Sequence, residues 1–415
     1  MKQRSWIALA GLLAVIAMAL PAVAVAPKVV KVEKAMSEDT PGEEGLDLTL
    51  RTKGQAQPVK SADGSAIDSP ASHIYLTDFN TGTVLLERAG DAKMYPSSMT
   101  KMMTLYLVFE RLKQGTLGLD NQFTVSEKAW RIQGSKMFVP LGDSIKLGDL
   151  IQGIAIQSGN DACVVVAEGI AGSEESFAKL MNEKAKQLGM TNTHFVDASG
   201  WPNPDHYTTA HDLNVLATAL IRDFPEQYHY FSQKEFTFHG IRQFNRNLLL
   251  GDALGVDGLK TGHTDAAGYG ITLSAKNPGT GQRLVLVVNG LDSESARAAE
   301  GERLINWGEH NFDSLTLFKP GQPIAKATVW MGKDKTVPLT VAAPLSMSIP
   351  KVGRDSIKIT AQYNAPVKAP IKKGDALGTL KVTLASGYSR EVKLVAAQDV
   401  EKLSFFGRIP RKLGM

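Results

Sequence analysis

The pattern of apolar and polar positions opens with an apolar run of about 15 residues, Trp6 to Leu20, behind the basic Lys2 and Arg4. Pro21 ends it, and Ala22-Val23-Ala24 or Ala24-Val25-Ala26 supplies a small-x-small cleavage site, so residues 1–26 read as a signal peptide. The run falls short of the ~20 residues of a membrane span. From 27 to 71 the chain is polar, without aromatics or a steady period, and reads as a flexible leader. Order is expected from Ser72. His73 to Phe79 is strand-like, Asn80 to Thr83 a turn, and Val84 to Glu87 a return strand. Met99 to Gln114 is too apolar for a surface helix and reads as a buried one. Helical periodicity then dominates from Ser126 to Phe224: Leu147–Ile156, Asp161–Ile170, Glu174–Leu188 and Thr209–Arg222. Strands return at Phe236–Phe238, Val256–Lys260, Gly270–Ser274 and Arg283–Val288, and a helix over Ser293–Trp307 closes the unit.

Hairpin, helices, then strands describe an α+β fold: an antiparallel sheet assembled from both ends of the segment, with helices packed on it. Beyond Asp313 short β-rich runs alternate with Pro and Gly, which reads as a small all-β sandwich. The expected organisation is signal peptide 1–26, leader 27–71, main domain 72–312, β domain 313–400 and tail 401–415.

Composition narrows the classes. The 415 residues fit two or three domains, and 43% hydrophobic content supports a large core. A net charge of +4, with no lysine/arginine block and no nucleic-acid motif, gives no reason to expect a nucleic-acid partner. The single cysteine, Cys163, excludes an intramolecular disulfide and a cysteine metal cluster. No His-Glu-x-x-His or similar ligand set is present, so no metal or cofactor is expected.

Three motifs carry chemistry. The first is Ser98-Met99-Thr100-Lys101, at the entrance of the buried helix. Positions i and i+3 share a helix face, so the hydroxyl and the amine can meet. A serine needs a base to become a nucleophile, and a buried lysine loses its proton more readily than an exposed one. Two other Ser-x-x-Lys pairs, Ser176/Lys179 and Ser348/Lys351, show how easily chance supplies the spacing. The second motif is Ser158-Gly159-Asn160, in a turn between apolar segments, where a hydroxyl and a carboxamide can face one side. An ordinary helix cap explains it equally well when taken alone. The third is Lys260-Thr261-Gly262 with His263, at a strand end: a cation, a hydroxyl and a glycine suited to an extended peptide on a sheet edge. In this order the three match the set used by penicillin-binding proteins and β-lactamases.

The chain resembles the D-alanyl-D-alanine carboxypeptidases, the low-molecular-weight penicillin-binding proteins. The resemblance covers roughly residues 72 to 400, through Tyr95–Thr104, Leu150–Cys163, Leu188–Phe195, Lys234–Asn247, Val256–Tyr269 and Gly301–Trp307. It implies a serine acyl-transferase domain followed by a β-sandwich. Ser98 would be the acylated nucleophile and Lys101 its base. Ser158 would assist proton transfer and Asn160 would hold substrate. Lys260, Thr261, Gly262 and His263 would line the opposite wall, with Arg246 near the substrate carboxylate. Cys163 is similar to a cysteine the family keeps near the site, and equally a small buried residue. The implied substrates are peptidoglycan pentapeptide stems, with β-lactams as covalent inhibitors. A D,D-endopeptidase of the same family and a β-lactamase stay open as alternatives. No Glu-x-x-Leu-Asn lies between the second and third motifs, which counts against the latter. An exported, periplasmic protein is expected. The aromatic and basic tail, Leu403 to Met415, fits weak peripheral association with the outer face of the inner membrane, although Gly407 and Pro410 interrupt a helix there.

Overall fold

The computed structural model describes residues 45–404 apart from 53, 252, 355 and 356. The expected signal peptide and most of the expected tail lie outside the described residues. A seven-stranded antiparallel sheet is the frame. Its strands are β1 (Gln57–Ser61), β2 (Ile67–Ser69), β3 (His73–Asp78), β4 (Val84–Arg88), β5 (Val256–Thr264), β6 (Gly268–Lys276) and β7 (Arg283–Leu291). They run in the order β2-β1-β4-β3-β7-β6-β5. The two ends of the segment therefore meet at the β3–β7 pair, whose register sets Leu76 opposite Leu286. Strand β7 is apolar almost throughout because both of its faces are covered. Alternate residues divide: Val285 and Val287 enter the core beneath the helical layer, while Leu284, Leu286 and Val288 pack with Leu304 and Ile305 on the other face. Each such aliphatic side chain stabilises the fold by ~1.5–3 kcal/mol when fully buried.

The helices are α1 (Lys101–Lys113), α2 (Glu127–Arg131), α3 (Leu147–Ala155), α4 (Asn160–Ala171), α5 (Glu174–Leu188), α6 (Ala210–Asp223) and α7 (Glu294–Asn311). Helix α1 is buried from Lys101 through Phe109, so it runs through the core rather than along it. Ser173 and Thr209 cap α5 and α6 through their side-chain oxygens, and α5 ends at Gly189, φ +86°. From Phe312 onward the chain is strand and turn. Phe312–Phe318 pairs with Leu345–Pro350, and a six-stranded sheet is built from 325–330, 336–341, 358–363, 367–368, 376–383 and 389–396. The sequence expectation missed the Phe312–Phe318 and Leu345–Pro350 pair.

The expected flexible leader needs correction over its last third. Residues 57–69 form the β1–β2 hairpin, and β1 extends the main sheet through Lys60 opposite Glu87 and Ser61 opposite Leu86. Val59, Ile67 and Ala71 are buried. Upstream, Leu46 and Leu50 pack against Tyr95, Ala266 and Ala267. The Arg51 guanidinium donates to the carbonyls of Gly290 (3.2 Å) and Leu291 (3.0 Å).

Candidate active site

The site forms where three backbone turns converge on the start of α1. Ser97–Thr100 is a 3₁₀ turn and Lys101 is the first residue of α1. Ser98 thus stands one turn earlier than a position inside the helix, and it is half-buried. Ser97 is held at φ +48°, a left-handed conformation costly for a side chain. Lys101 is fully buried. Its Nζ lies 2.8 Å from Ser98 Oγ, 2.7 Å from Asn160 Oδ1 and 2.7 Å from the Ser199 carbonyl. Burial pulls the Lys101 amine below its usual range, opposed in part by nearby anionic groups that include Asp197 and Asp161.

Asn160 opens α4 and is itself fixed: its Nδ2 donates to Gln133 O at 2.9 Å. The neighbouring Asp161 carboxylate accepts from the N–H groups of Met137 (2.8 Å), Phe138 (2.8 Å) and Val139 (3.2 Å), which folds the 135–139 loop over the motif. Ser158 precedes α4 at φ +60°, is fully buried, and its Oγ has no hydrogen-bond partner among the described residues. A buried hydroxyl without a partner is costly, so this atom stands ready for an external group. Cys163 lies in the core of α4 with its thiol pushed up to about 12 by burial; it packs as an apolar side chain.

The far wall is β5. Among the described residues it is an edge strand of the sheet, paired with β6 and running alongside the Ser97–Thr100 turn. Lys260 and Thr261 are buried, and Lys260 Nζ donates to Thr261 O at 3.1 Å. Burial, then the positive charges of Lys101, Arg246 and Arg297, pull the Lys260 amine well below its usual range. The His263 ring stacks on Tyr269, centroids 3.8 Å apart. Arg246 donates to Ser135 Oγ at 2.7 Å and is pulled down to about 10 by burial and by Arg297. Gly262 has a role the sequence did not disclose. A Cβ there would lie 2.9 Å from Pro96 O and 3.1 Å from Ser97 Cβ, so the glycine lets β5 press against the Ser97–Thr100 turn.

Sequence reasoning reads Ser199–Asp205 as a loop but missed the part that the third turn, Asp197–Trp201, plays in the site. Ser199 contributes its carbonyl to Lys101, and Gly200 (φ +84°) lies so close to the Ser97–Thr100 turn that a Cβ would stand 1.8 Å from Ser97 O. A carbonyl oxygen leaves no side-chain signature; only the glycine marked the place. It also missed Arg297, buried beside Arg246, whose guanidinium donates to Arg246 O at 3.2 Å and lies 5.7 Å from the Tyr269 ring. Of the two chance pairs, Ser348 Oγ is engaged with Thr81 Oγ1 (2.9 Å) and Lys351 Nζ with Glu309 O (2.8 Å), so that pair does not meet. Ser176 sits in the first turn of α5, where its N–H and Oγ bond to Ser173.

Residues 58–293 match the model of a family described as D-alanyl-D-alanine carboxypeptidase, more than half of the chain. The chain belongs to that family. Residues 312–402 match the C-terminal domain of penicillin-binding protein 5. Among curated members of the carboxypeptidase family, DacC of Escherichia coli is 40% identical over 363 residues, spanning 85% of this chain and 90% of the relative. The structure of penicillin-binding protein 5 from Haemophilus influenzae aligns with a TM-score of 0.72 and 36% identity, over 80% of this chain and 98% of that one. Penicillin-binding protein D2 from Listeria monocytogenes, solved in an ampicillin-bound form, aligns at 0.52 with 30% identity over 57% of this chain and 96% of its own. The α+β carboxypeptidase fold with an appended β domain, and the serine-type enzyme class expected from the three motifs, are those of this family.

Proposed function

We propose that this chain removes the terminal D-alanine from peptidoglycan pentapeptide stems through an acyl-enzyme on Ser98, and that β-lactams acylate the same serine. The bonding of Lys101 carries this reading. A neutral amine has two N–H donors and one lone pair. Asn160 Oδ1 and the Ser199 carbonyl can only accept, so they take both donors. The lone pair is left for the Ser98 hydroxyl 2.8 Å away, the arrangement a general base needs. Burial shifts the amine towards the neutral form.

Ser98 Oγ attacks the carbonyl carbon of the penultimate D-alanine as its proton passes to Lys101. The oxyanion is met by the Ser98 N–H and by a second N–H on β5 near His263. Lys101 returns the proton to the departing amine, with the unpartnered Ser158 hydroxyl as relay. D-Alanine leaves, and water hydrolyses the ester in a second cycle. The free edge of β5 receives the extended peptide. Asn160, Thr261, Gly262 and His263 line its path. Arg246 and Arg297 gather positive charge, with the Lys260 amine beside them, at the end where the substrate carboxylate belongs. The deciding assay is release of D-alanine from a pentapeptide ending in D-alanyl-D-alanine, run beside a cross-linked dimer. Free D-alanine with the dimer intact establishes the carboxypeptidase. Cleavage of the dimer makes the enzyme a D,D-endopeptidase in whole or part.

We also propose an exported, periplasmic protein that associates weakly with the inner-membrane surface. Export rests on the pattern of residues 1–26. No helix among the described residues is long and apolar enough to cross a membrane. Basic charge concentrates at the C-terminal end: residues 312–404 hold 14 Lys and Arg against 7 Asp and Glu, and Arg408, Arg411 and Lys412 follow. Such a balance favours an anionic surface.

A further inference from the structure

Behind the catalytic lysine a half-buried acid, Asp197, meets a buried imidazole, His206, and the reaction above uses neither. Asp197 Oδ1 accepts from the N–H groups of Ser199 (2.7 Å), Gly200 (2.7 Å) and Trp201 (3.2 Å) and from Ser199 Oγ (2.9 Å). Asp197 Oδ2 lies 3.0 Å from His206 Nδ1, and His206 Nε2 lies 2.9 Å from Thr100 Oγ1. His206 is 2% exposed. Its Nδ1 is also 3.2 Å from the Val196 N–H. One nitrogen cannot serve both neighbours, and the carboxylate is the stronger partner for an Nδ1 proton. The turn is tied at its other end too: Ala198 N–H donates to Glu174 (3.1 Å), and Thr104 Oγ donates to Ala198 O (2.6 Å).

We propose that Asp197 and His206 form a positioning unit for the base: the carboxylate holds the Ser199 carbonyl on Lys101 Nζ, and the imidazole locks that turn to Thr100, within the turn that bears Ser98. Neither residue touches substrate. Both act through the Ser199 carbonyl and the Ser97–Thr100 turn, which orient the lone pair of Lys101. Their geometry is closed at both ends, since the Asp197 turn contacts Ser97 through Gly200 and Lys101 through Ser199.

The unit has an electrostatic consequence as well. The titratable groups facing Lys101 are Asp161 and Cys163 from α4, Lys260 from β5, and Asp197 from the third turn, with His206 behind Asp197. Burial opposes the ionised form of Asp197, but His206 and the Ser199 donors outweigh it and hold the carboxyl well below its usual range. A standing negative charge at that place favours the ammonium form of Lys101.

The inference rests on Lys101 being the base, and Lys101→Ala tests that separately: acylation by penicillin that survives the substitution sinks the base assignment. The positioning unit is tested by kcat and KM for the pentapeptide against pH, with circular dichroism on each variant. Asp197→Asn keeps the shape and an acceptor oxygen. Its plateau kcat should fall ~10-fold or more, with KM within about 3-fold of wild type. Its acid limb should move to lower pH, because a charge favouring ammonium is gone. A fall without movement of the limb, or no fall, overturns the proposal. His206→Gln can still bridge to Thr100, whereas His206→Ala cannot. Gln should recover most of the kcat that Ala loses; equal losses overturn the tie to Thr100.

Discussion

Gly200 is the residue through which the Asp197 turn touches the nucleophile turn, and Gly200→Ala should therefore cost more in rate than in fold. Two penalties meet at that Cα. The backbone is at φ +84°, where an alanine is strained by ~1–2 kcal/mol. The new methyl would stand 1.8 Å from Ser97 O and 2.8 Å from Thr100 Oγ1. The 1.8 Å contact is about 1.2 Å short of the 3.0 Å below which a Cβ contact essentially never occurs. Its partner is backbone oxygen, so no rotamer change relieves it. The residue immediately before Ser98 must retreat by about an ångström, or the Ser199 carbonyl must leave Lys101. Displacements of that size cost ~10²-fold in rate, close to 2.7 kcal/mol of transition-state stabilisation. The assay is the second-order acylation rate with a fluorescent penicillin, read by stopped flow, with thermal melting alongside. A folded Gly200→Ala protein acylated at the wild-type rate would refute the claim that this contact sets the position of Ser98.

Four further outcomes follow from the same structure. Ser98→Ala should abolish covalent labelling by penicillin while circular dichroism stays unchanged, and Ser176→Ala should label normally; persistent labelling of the first removes Ser98 from its role. The penicillin acylation rate should rise with pH through a Lys101 titration lying below the ordinary lysine range, because only the neutral amine can take the Ser98 proton; a rate that does not change with pH below that range would contradict this. Val59→Asp places an unpaired carboxylate in β1 against the core and should destabilise by ~2–4 kcal/mol, read as a lowered melting temperature; an unchanged melt would mean that the hairpin adds nothing to the main sheet. Deleting residues 403–415 should release protein from inner-membrane vesicles and spare D-alanine release; continued pelleting would place the anchor elsewhere.

What the sequence disclosed and what it withheld divide along a physical line. Elements with a dense apolar period were legible: α5 at Glu174–Leu188 matches its expected limits, β3 ends one residue short of the expected Phe79, and β4, β6 and β7 fall where alternation or apolar runs put them, extended by one to three residues at their ends. Side-chain chemistry was legible as well, since Ser98, Lys101 and Asn160 do meet. Two kinds of information were hidden. The β1–β2 hairpin carries one buried apolar side chain every few residues, Val59 and Ile67 among polar neighbours. A short strand that buries so little announces itself only through the ladder it joins. The other hidden kind is backbone doing the work of side chains. The Ser199 carbonyl is as close to Lys101 as Asn160 Oδ1 is, yet any residue type could supply it. What fixes that carbonyl is Asp197, and what admits it beside Ser97 is Gly200, so the identity of the third turn is written one step away from the atom that acts. A substitution at Ser199 that keeps the turn should therefore be tolerated better than one at either neighbour, because the carbonyl survives every side-chain change that Asp197 and Gly200 do not.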